Sequence, residues 1–423
     1  MESDRAAITA ISIGRRQFIG VGAASLAASI VGYIVIVVTT RTLTPADNAI
    51  FLTFWSVLFA WFGILGGLSS EMTRATNASD SGMHPVNAPR MLAVGLAIGT
   101  GLSALLAATG FLWGPLVLGA GYGWLLIPLS AAVVLYSGHA SVVGILGGRA
   151  HWGAYARLVT VDSVVRLVLV VTTASVAATT FGFAVAACIS PLTWLVGLVF
   201  SRKLKRAVTT RADTSLPQFS RRLGHAMAAS GSAAILVVGF PVLLRLTSTD
   251  AIYLASAPLI LAISLTRAPL LIPLNAYQGV AIAHFVNNRA AGLRTIWPVT
   301  RIVLGVGALG AALAWFIGPW IMSVIFGGNY RVEGWVLALL TFDAASLAIL
   351  TLTGSLCLAL TLHSAFSGGW LTGTAVTIVV LLLPLPIELR SVIGLFVGPA
   401  LGIGIHLLAL RRAAPLQNGP AGA

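Results

Sequence analysis

The length of the uncharged apolar segments is the feature that most limits how this chain can fold. From Gln17 to Thr40, 24 consecutive residues carry no charged side chain. As a helix this segment would be roughly 36 Å long, and about 20 apolar residues suffice to cross a bilayer. Similar segments recur along the whole chain. Because hydrocarbon offers no partner for backbone polar groups, we predict an all-α polytopic membrane protein.

The predicted spans number about twelve. The chain is 58% hydrophobic and only 9% charged, whereas soluble domains carry roughly a quarter charged residues, so a soluble fold is excluded. The spans lie near residues 17–40, 50–70, 91–112, 124–146, 158–179, 183–200, 227–247, 252–274, 296–317, 333–358, 364–385 and 391–410.

The distribution of cations predicts the orientation of these spans. A net charge of +14 would suggest nucleic acid in a soluble protein, but in a membrane protein Lys and Arg collect in cytoplasmic loops. We therefore expect the lipid bilayer, and no nucleic acid, as a partner. The bias places both termini in the cytoplasm of a bacterium, with the chain in the plasma (inner) membrane. The predicted external ends carry few cations, each with an acid nearby in sequence: Arg41, Arg245, Arg331 and Arg390.

Arg15 and Arg16, followed by Gln17-Phe18-Ile19, match the start of a twin-arginine export signal. A soluble protein would follow such a signal after cleavage. Apolar spans follow here instead, so we expect this segment to be retained as the first span, anchored by its arginines.

The two halves of the chain repeat. Three pairs of positions at equivalent places lie 204 residues apart: Arg41 and Arg245, Arg90 and Arg294, and Gly114 and Gly318. Six spans in each half make the repeat parallel, as in transporters that rock two bundles about a central site. We predict a cytoplasmic N-terminal segment 1–16, two six-helix bundles at 17–200 and 227–410, a basic cytoplasmic linker 201–226, and a disordered cytoplasmic tail 411–423.

Ionisable residues inside spans are the candidate functional groups, because burying them in lipid is costly. Asp343 and Arg267 lie deepest and have no opposite charge nearby in sequence. They either act in transport or pair with each other. Asp162 and Arg166 are four residues apart and can pair on one helix face. Asp343, Asp162 and Arg166 are thus candidates for ion coupling or for an intramembrane ion pair.

Signatures of an enzyme are missing from the sequence. The stretch "GVGALG" at 305–310 matches a dinucleotide fingerprint, but it lies inside a predicted span and not between a strand and a helix. The two cysteines lie in apolar segments, and the seven histidines are scattered. We therefore expect no catalytic residue, no metal site and no cofactor.

Residues 37–76, "VVTTRTLTPADNAIFLTFWSVLFAWFGILGGLSSEMTRAT", resemble the polysaccharide-biosynthesis membrane proteins. These are the lipid-linked oligosaccharide flippases of the multidrug/oligosaccharidyl-lipid/polysaccharide exporter superfamily. The family has a short turn of the type R-x-L-x-P, here Arg41, Leu43 and Pro45. The stretch 265–285 is similar to its counterpart in the family. The chain departs from the family at Asp47–Ala49, where a glycine is common.

This resemblance implies a flippase, not an enzyme, that moves an undecaprenyl-pyrophosphate-linked glycan to the outer leaflet for cell-surface polysaccharide synthesis. Glycosyltransferases or a polymerase of the same pathway are then expected partners. An anionic headgroup needs a polar, cationic cavity, and guanidinium groups pair well with phosphate. The candidate substrate-binding residues are Arg41, Arg245 and Arg267.

Two alternatives stay open. A cation-coupled multidrug exporter of the same superfamily would use intramembrane carboxylates, for which Asp343 and Asp162 are the candidates. A non-transporting scaffold would recruit glycan-synthesis enzymes through the basic linker. A membrane polymerase or ligase is disfavoured, because no predicted external loop is long enough to act on its substrates.

Overall fold

The computed structural model describes residues 15–79, 87–267, 270–271, 274, 296–360 and 362–417. Within these residues the chain is helical, apart from turns and one isolated bridge between Arg90 and Arg211. The helices are α1 Arg15–Thr42, α2 Pro45–Ser79, α3 Met91–Val117, α4 Leu126–Gly148, α5 Trp152–Val176, α6 Thr180–Ile189, α7 Thr193–Phe200, α8 Arg202–Val208, α9 Leu216–Val238, α10 Phe240–Leu246, α11 Asp250–Ala255, α12 Ala257–Arg267, α13 Trp297–Phe326, α14 Gly334–Ala359, α15 His363–Leu381 and α16 Ile387–Gln417.

Ten helical segments of the described chain are long and apolar enough to cross a membrane. Short 3-10 turns extend α4 and join α6 to α7. The pair α9 and α10, which meet at an angle of 71°, passes the same test when taken together and counts as an eleventh, broken span if it crosses the membrane. The predicted eighth span is described only as α11 and α12, and most of the stretch 265–285 lies outside the described residues. The predicted all-α, multi-pass fold is confirmed.

The helices α4 and α14 are the most buried of these ten segments. In the most apolar windows of α4 and α14, 72% and 83% of the residues are buried. The corresponding share is only 22% for α1 and α5 and 17% for α13. Large apolar side chains, such as Phe111, Phe200 and Phe316, are exposed on the outside of the molecule. In a bilayer these surfaces face lipid, which is as apolar as the side chains themselves.

The two halves meet along α2 and α9, where small residues let the helices approach closely. Gly63 lies against Ala234, and Gly67 lies against the main chain of Met227. Gly231 contacts Ile64 from the other side. A methyl group on Gly67 would collide with a backbone and not with a movable side chain. We call this contact the α2–α9 seam.

Loops of the first half that the sequence assigns to the cytoplasm meet the linker at one end of the molecule, which we call the linker face. The Arg211 guanidinium donates a hydrogen bond to the Ala88 carbonyl at 2.9 Å, and the Met91 N–H donates to Thr210. The predicted linker 201–226 contains α8 and the first turns of α9. The N-terminal residues 1–14 and the end of the tail, 418–423, lie outside the described residues.

The predicted external ends meet at the other end, which we call the opposite face. There, Arg390 of α16 is buried and donates to the carbonyl oxygens of Leu381 and Thr247 and to the hydroxyl of Ser248. The Tyr122 hydroxyl donates to the Asp47 carboxylate at 3.3 Å. Segments far apart in sequence thus share each face.

Candidate functional site at the bundle interface

The break between α9 and α10 creates an unsatisfied backbone carbonyl inside the apolar region. Pro241 has no N–H, so the carbonyl of Val237, four residues earlier, loses its normal helical partner. The Arg267 guanidinium at the end of α12 donates a hydrogen bond to this oxygen at 2.7 Å. It also approaches the Leu236 carbonyl at 3.5 Å. Arg267 therefore caps the first half of a broken span.

Arg267 is almost fully enclosed, with 8% of its surface exposed. Its guanidinium carbon lies 5.7 Å from the centre of the Phe240 ring, a cation–π contact. Tyr33 of α1, in the first bundle, is close enough to interact with Arg267 electrostatically, and its hydroxyl donates to the Ser264 carbonyl at 2.9 Å. The side chain thus lies where both bundles and the break in the span meet.

Asp343 of α14 is the acidic neighbour of Arg267. It is 5% exposed, and its Oδ2 atom has no hydrogen-bond partner in the structure. The two side chains are near enough for the ionisation of one to affect the other, but the ion pairs closer than 4.0 Å in the described part of the chain do not include this one. Arg267 thus contacts main-chain carbonyls and not the carboxylate. We call Tyr33, Phe240, Arg267 and Asp343 the Arg267 cluster.

Arg245 of α10 lies near the opposite face, also buried. It forms an ion pair with the exposed Asp250 at 2.8 Å and lies 5.1 Å from the centre of the Tyr253 ring. Gly119 of the first bundle, which has a φ of 100°, lies beside the guanidinium. Arg245 is therefore a second buried cation at the boundary between the bundles.

Arg41 lies in the last turn of α1 and is exposed. Its guanidinium donates to the carbonyls of Ile325, at 2.6 Å, and Val324. These are among the last carbonyls of α13, which have no partner within their own helix, and a cation is favoured at that end of the helix dipole. Next to this contact, the Asn48 amide donates to the Tyr330 hydroxyl at 3.3 Å. These two contacts join the bundles at the opposite face.

Asp162 and Arg166 form a buried ion pair on α5 at 2.6 Å. Arg166 also donates to the Ser190 hydroxyl at 3.0 Å and lies over the Phe59 ring. The pair stays within the first bundle, apart from the Arg267 cluster. Whether these six predicted residues bind substrate or couple ions stays a prediction. Within the described residues there is no group of His, Cys, Asp or Glu that could hold a metal.

An ionic network at the linker face was not predicted from the sequence. Arg74 of α2 binds Glu71 at 2.6 Å and Asp213 at 2.9 Å, and Asp213 also binds Arg222 of α9 at 3.2 Å. Burial acts to raise the pKa of Asp213, but the hydrogen bonds and charge of Arg74 outweigh it and hold that pKa below its usual value. The available signal was that Asp213 is the only acid in the linker.

A cavity of about 670 Å³ opens at the opposite face of the second bundle. Its lining includes Arg331, Glu333, Trp335 and Glu388, and none of the three predicted substrate-binding arginines. The cavity and the Arg267 cluster are therefore separate features.

Comparison with known proteins gives two kinds of relative. The chain matches no protein-family model. The uncharacterized protein Rv3630 of Mycobacterium tuberculosis is 37% identical over 401 residues, which cover 93% of this chain and 91% of that protein. The uncharacterized protein Rv1510 of the same organism is 37% identical over 408 residues, with 95% and 93% covered.

Solved structures show a similar fold at low sequence identity. An inward-facing multidrug resistance MATE family transporter of the MOP superfamily matches with a TM-score of 0.70 at 14% identity, over 93% of this chain and 96% of that one. An outward-facing one matches with 0.66 at 14%, over 98% and 100%. A MOP superfamily transporter from Pyrococcus furiosus matches with 0.69 at 15%, over 96% of each chain. The chain therefore has a MATE-like fold of two repeated bundles.

Proposed function

We propose that this chain, which belongs to the same family as the mycobacterial proteins Rv3630 and Rv1510, is a flippase for a lipid-linked oligosaccharide. The substrate would be a glycan on an undecaprenyl-pyrophosphate type of carrier. The protein would move the headgroup across the bacterial plasma membrane for cell-surface polysaccharide synthesis, by alternating access of the two bundles. Its termini would be cytoplasmic.

The observation that carries this proposal is the excess of buried positive charge in the second bundle. Arg245, Arg267 and Arg390 are buried there, and Asp343 is the one buried acid among its described residues. A buried cation in a membrane protein marks a substrate or ion pathway by default. This polarity suits an anionic headgroup and does not suit a cationic drug. The structurally similar Pyrococcus furiosus transporter is described as having a binding pocket of reverse polarity that suggests a different function.

The resemblance of residues 37–76 to lipid-linked oligosaccharide flippases selects the glycan among anionic substrates. The contacts of Arg41 fit a gating role in that reading, because they join the bundles at the opposite face and would have to break for release there. The lipid tail stays in the bilayer throughout, so only the headgroup needs a path between the bundles.

A second function, cation-coupled export of drugs, is favoured by one observation. Asp343 is buried and has an oxygen without a hydrogen-bond partner, as a carboxylate that takes up a coupling cation would have. The inward-facing and outward-facing relatives are described as multidrug resistance transporters.

Proteoliposomes decide between these functions. A fluorescent pyrophosphate-linked oligosaccharide is incorporated, and the fraction that becomes accessible to an external quencher is followed with time. We expect protein-dependent movement that Arg245→Gln abolishes and the exposed Arg301→Gln leaves intact. Dye efflux driven by an ion gradient, without lipid movement, would establish the exporter instead. If the folded protein shows neither activity, the non-transporting scaffold is the function that remains.

A further inference from the structure

The short helix α8 has a strongly basic exposed side. Arg202, Lys203, Lys205 and Arg206 are all exposed, whereas Leu204 and Ala207 are 4% and 0% exposed. Leu204 belongs to the apolar core of the first bundle. The helix is therefore fixed to the protein by its apolar side and presents four cations within five residues outward. We call these four cations the α8 surface.

The helix lies where the chain leaves the apolar layer. Phe200, the last residue of α7, is 83% exposed, and Val199 is 66% exposed. In a multi-pass membrane protein such side chains contact lipid. Ser201 is the single residue between α7 and α8, and its hydroxyl accepts a hydrogen bond from the Leu204 N–H. The first cation thus follows Phe200 within two positions, and in a bilayer lipid headgroups are expected next to such a boundary.

The cations of the α8 surface have no acidic partner among the described residues. The ion pairs in this part of the chain involve Arg74, Arg166, Arg222 and Arg245. Asp213, the only acid of the linker, is already engaged by Arg74 and Arg222. Arg149 adds a further cation beside α8, since its guanidinium reaches the Arg206 carbonyl at 3.5 Å.

We propose that the α8 surface binds the phosphate headgroups of anionic phospholipids in the leaflet at the linker face. An excess of Lys and Arg in cytoplasmic loops sets the orientation of the spans through the number of charges, wherever in the loop they lie. Here, by contrast, the cations are held in fixed positions on a docked helix beside lipid-facing side chains. Basic residues next to a span attract anionic lipid, and each one raises the affinity roughly fivefold. The proposal concerns a lipid site and does not depend on which substrate the protein transports.

Native mass spectrometry of the full chain in detergent tests this binding with dioleoylphosphatidylglycerol and dioleoylphosphatidylcholine as probes. We expect the anionic lipid to bind at least tenfold more tightly than the zwitterionic lipid. Replacing the four cations of the α8 surface by Gln should remove most of this preference. Leu204 and Ala207 are unchanged in this variant, so its melting temperature should stay close to that of the wild type.

A charge-matched control replaces four other exposed arginines by Gln: Arg221, Arg331, Arg411 and Arg412. It should keep the preference for the anionic lipid. Equal loss in both variants would mean a general effect of net charge and would overturn the proposal. Inorganic phosphate at about 10 mM should displace little of the bound anionic lipid. Complete displacement would assign the surface to a soluble phosphate compound and would also overturn the proposal.

Discussion

Arg267→Met removes the guanidinium that caps the broken span while keeping a long apolar side chain. The variant loses the hydrogen bond to Val237, worth about 1.5–3 kcal/mol for a charged donor. It also loses the cation–π contact with Phe240, worth about 1 kcal/mol. Asp343 is left without its nearby cation. We therefore expect the free energy of unfolding to fall by about 3.5–5 kcal/mol.

A double-mutant cycle separates the capping role from the interaction with Asp343. Asp343→Asn alone keeps the shape of the side chain and removes its charge. In the Asn background, Arg267→Met no longer leaves a carboxylate without a neighbouring cation, so its cost should be smaller by about 1 kcal/mol. Thermal unfolding of the purified chain at fixed detergent concentration, followed by tryptophan fluorescence, measures all four proteins.

Arg301→Met is the matched control for this cycle. Arg301 is an exposed arginine on α13 that lies 5.2 Å from the centre of the Trp297 ring. Its replacement should cost less than about 1 kcal/mol. If Arg267→Met were no more destabilising than this control, the capping argument would be wrong. If the two changes were additive within about 0.5 kcal/mol, Arg267 and Asp343 would not be coupled.

Three further predictions concern the faces and the carboxylate. Arg41→Gln should weaken the contact with α13 and increase labelling of cysteines placed at the opposite face, and unchanged labelling would argue against a gate there. Because Arg74 lowers the pKa of Asp213 in the folded chain, the contact between them should stabilise the linker at neutral pH and be lost as the pH falls below about 4. Limited proteolysis should then cut the linker faster at the lower pH, and Asp213→Asn should remove this pH dependence. Asp343→Asn should abolish any dependence of transport on an ion gradient, and an unchanged dependence in proteoliposomes would reject coupling through this residue.

The spans and their grouping on two faces could be predicted because they depend on local hydropathy and on counting spans. The apolar segment 17–40 is sufficient by itself to define a crossing helix. The positions of Asp162 and Arg166, four apart on one helix, likewise allow their ion pair to be foreseen. Each of these inferences uses only residues that are close in sequence.

The partners of the arginines could not be predicted, because they depend on how distant helices pack. The segment 227–247 reads as one uninterrupted span, yet it breaks at Gly239, and the carbonyl freed by Pro241 attracts Arg267 from 30 residues away. Arg41 finds its partners 283 and 284 residues away. Backbone carbonyls as partners leave no trace in the pattern of side chains, whereas Pro241 was a visible sign that the helix could bend.

The small residues of the α2–α9 seam also restrict how the two halves can move. Because Gly67 lies against the backbone of Met227 and Gly63 against Ala234, neither bundle can slide towards the other without collision. A tilt of one bundle against the other, about an axis that crosses this contact, is the motion that remains. A rotation that widens the gap at one end of the molecule narrows it at the other, so a single pair of helices would act as the pivot of a rocker. The angle available at that pivot would then set how far the two bundles can separate at either end.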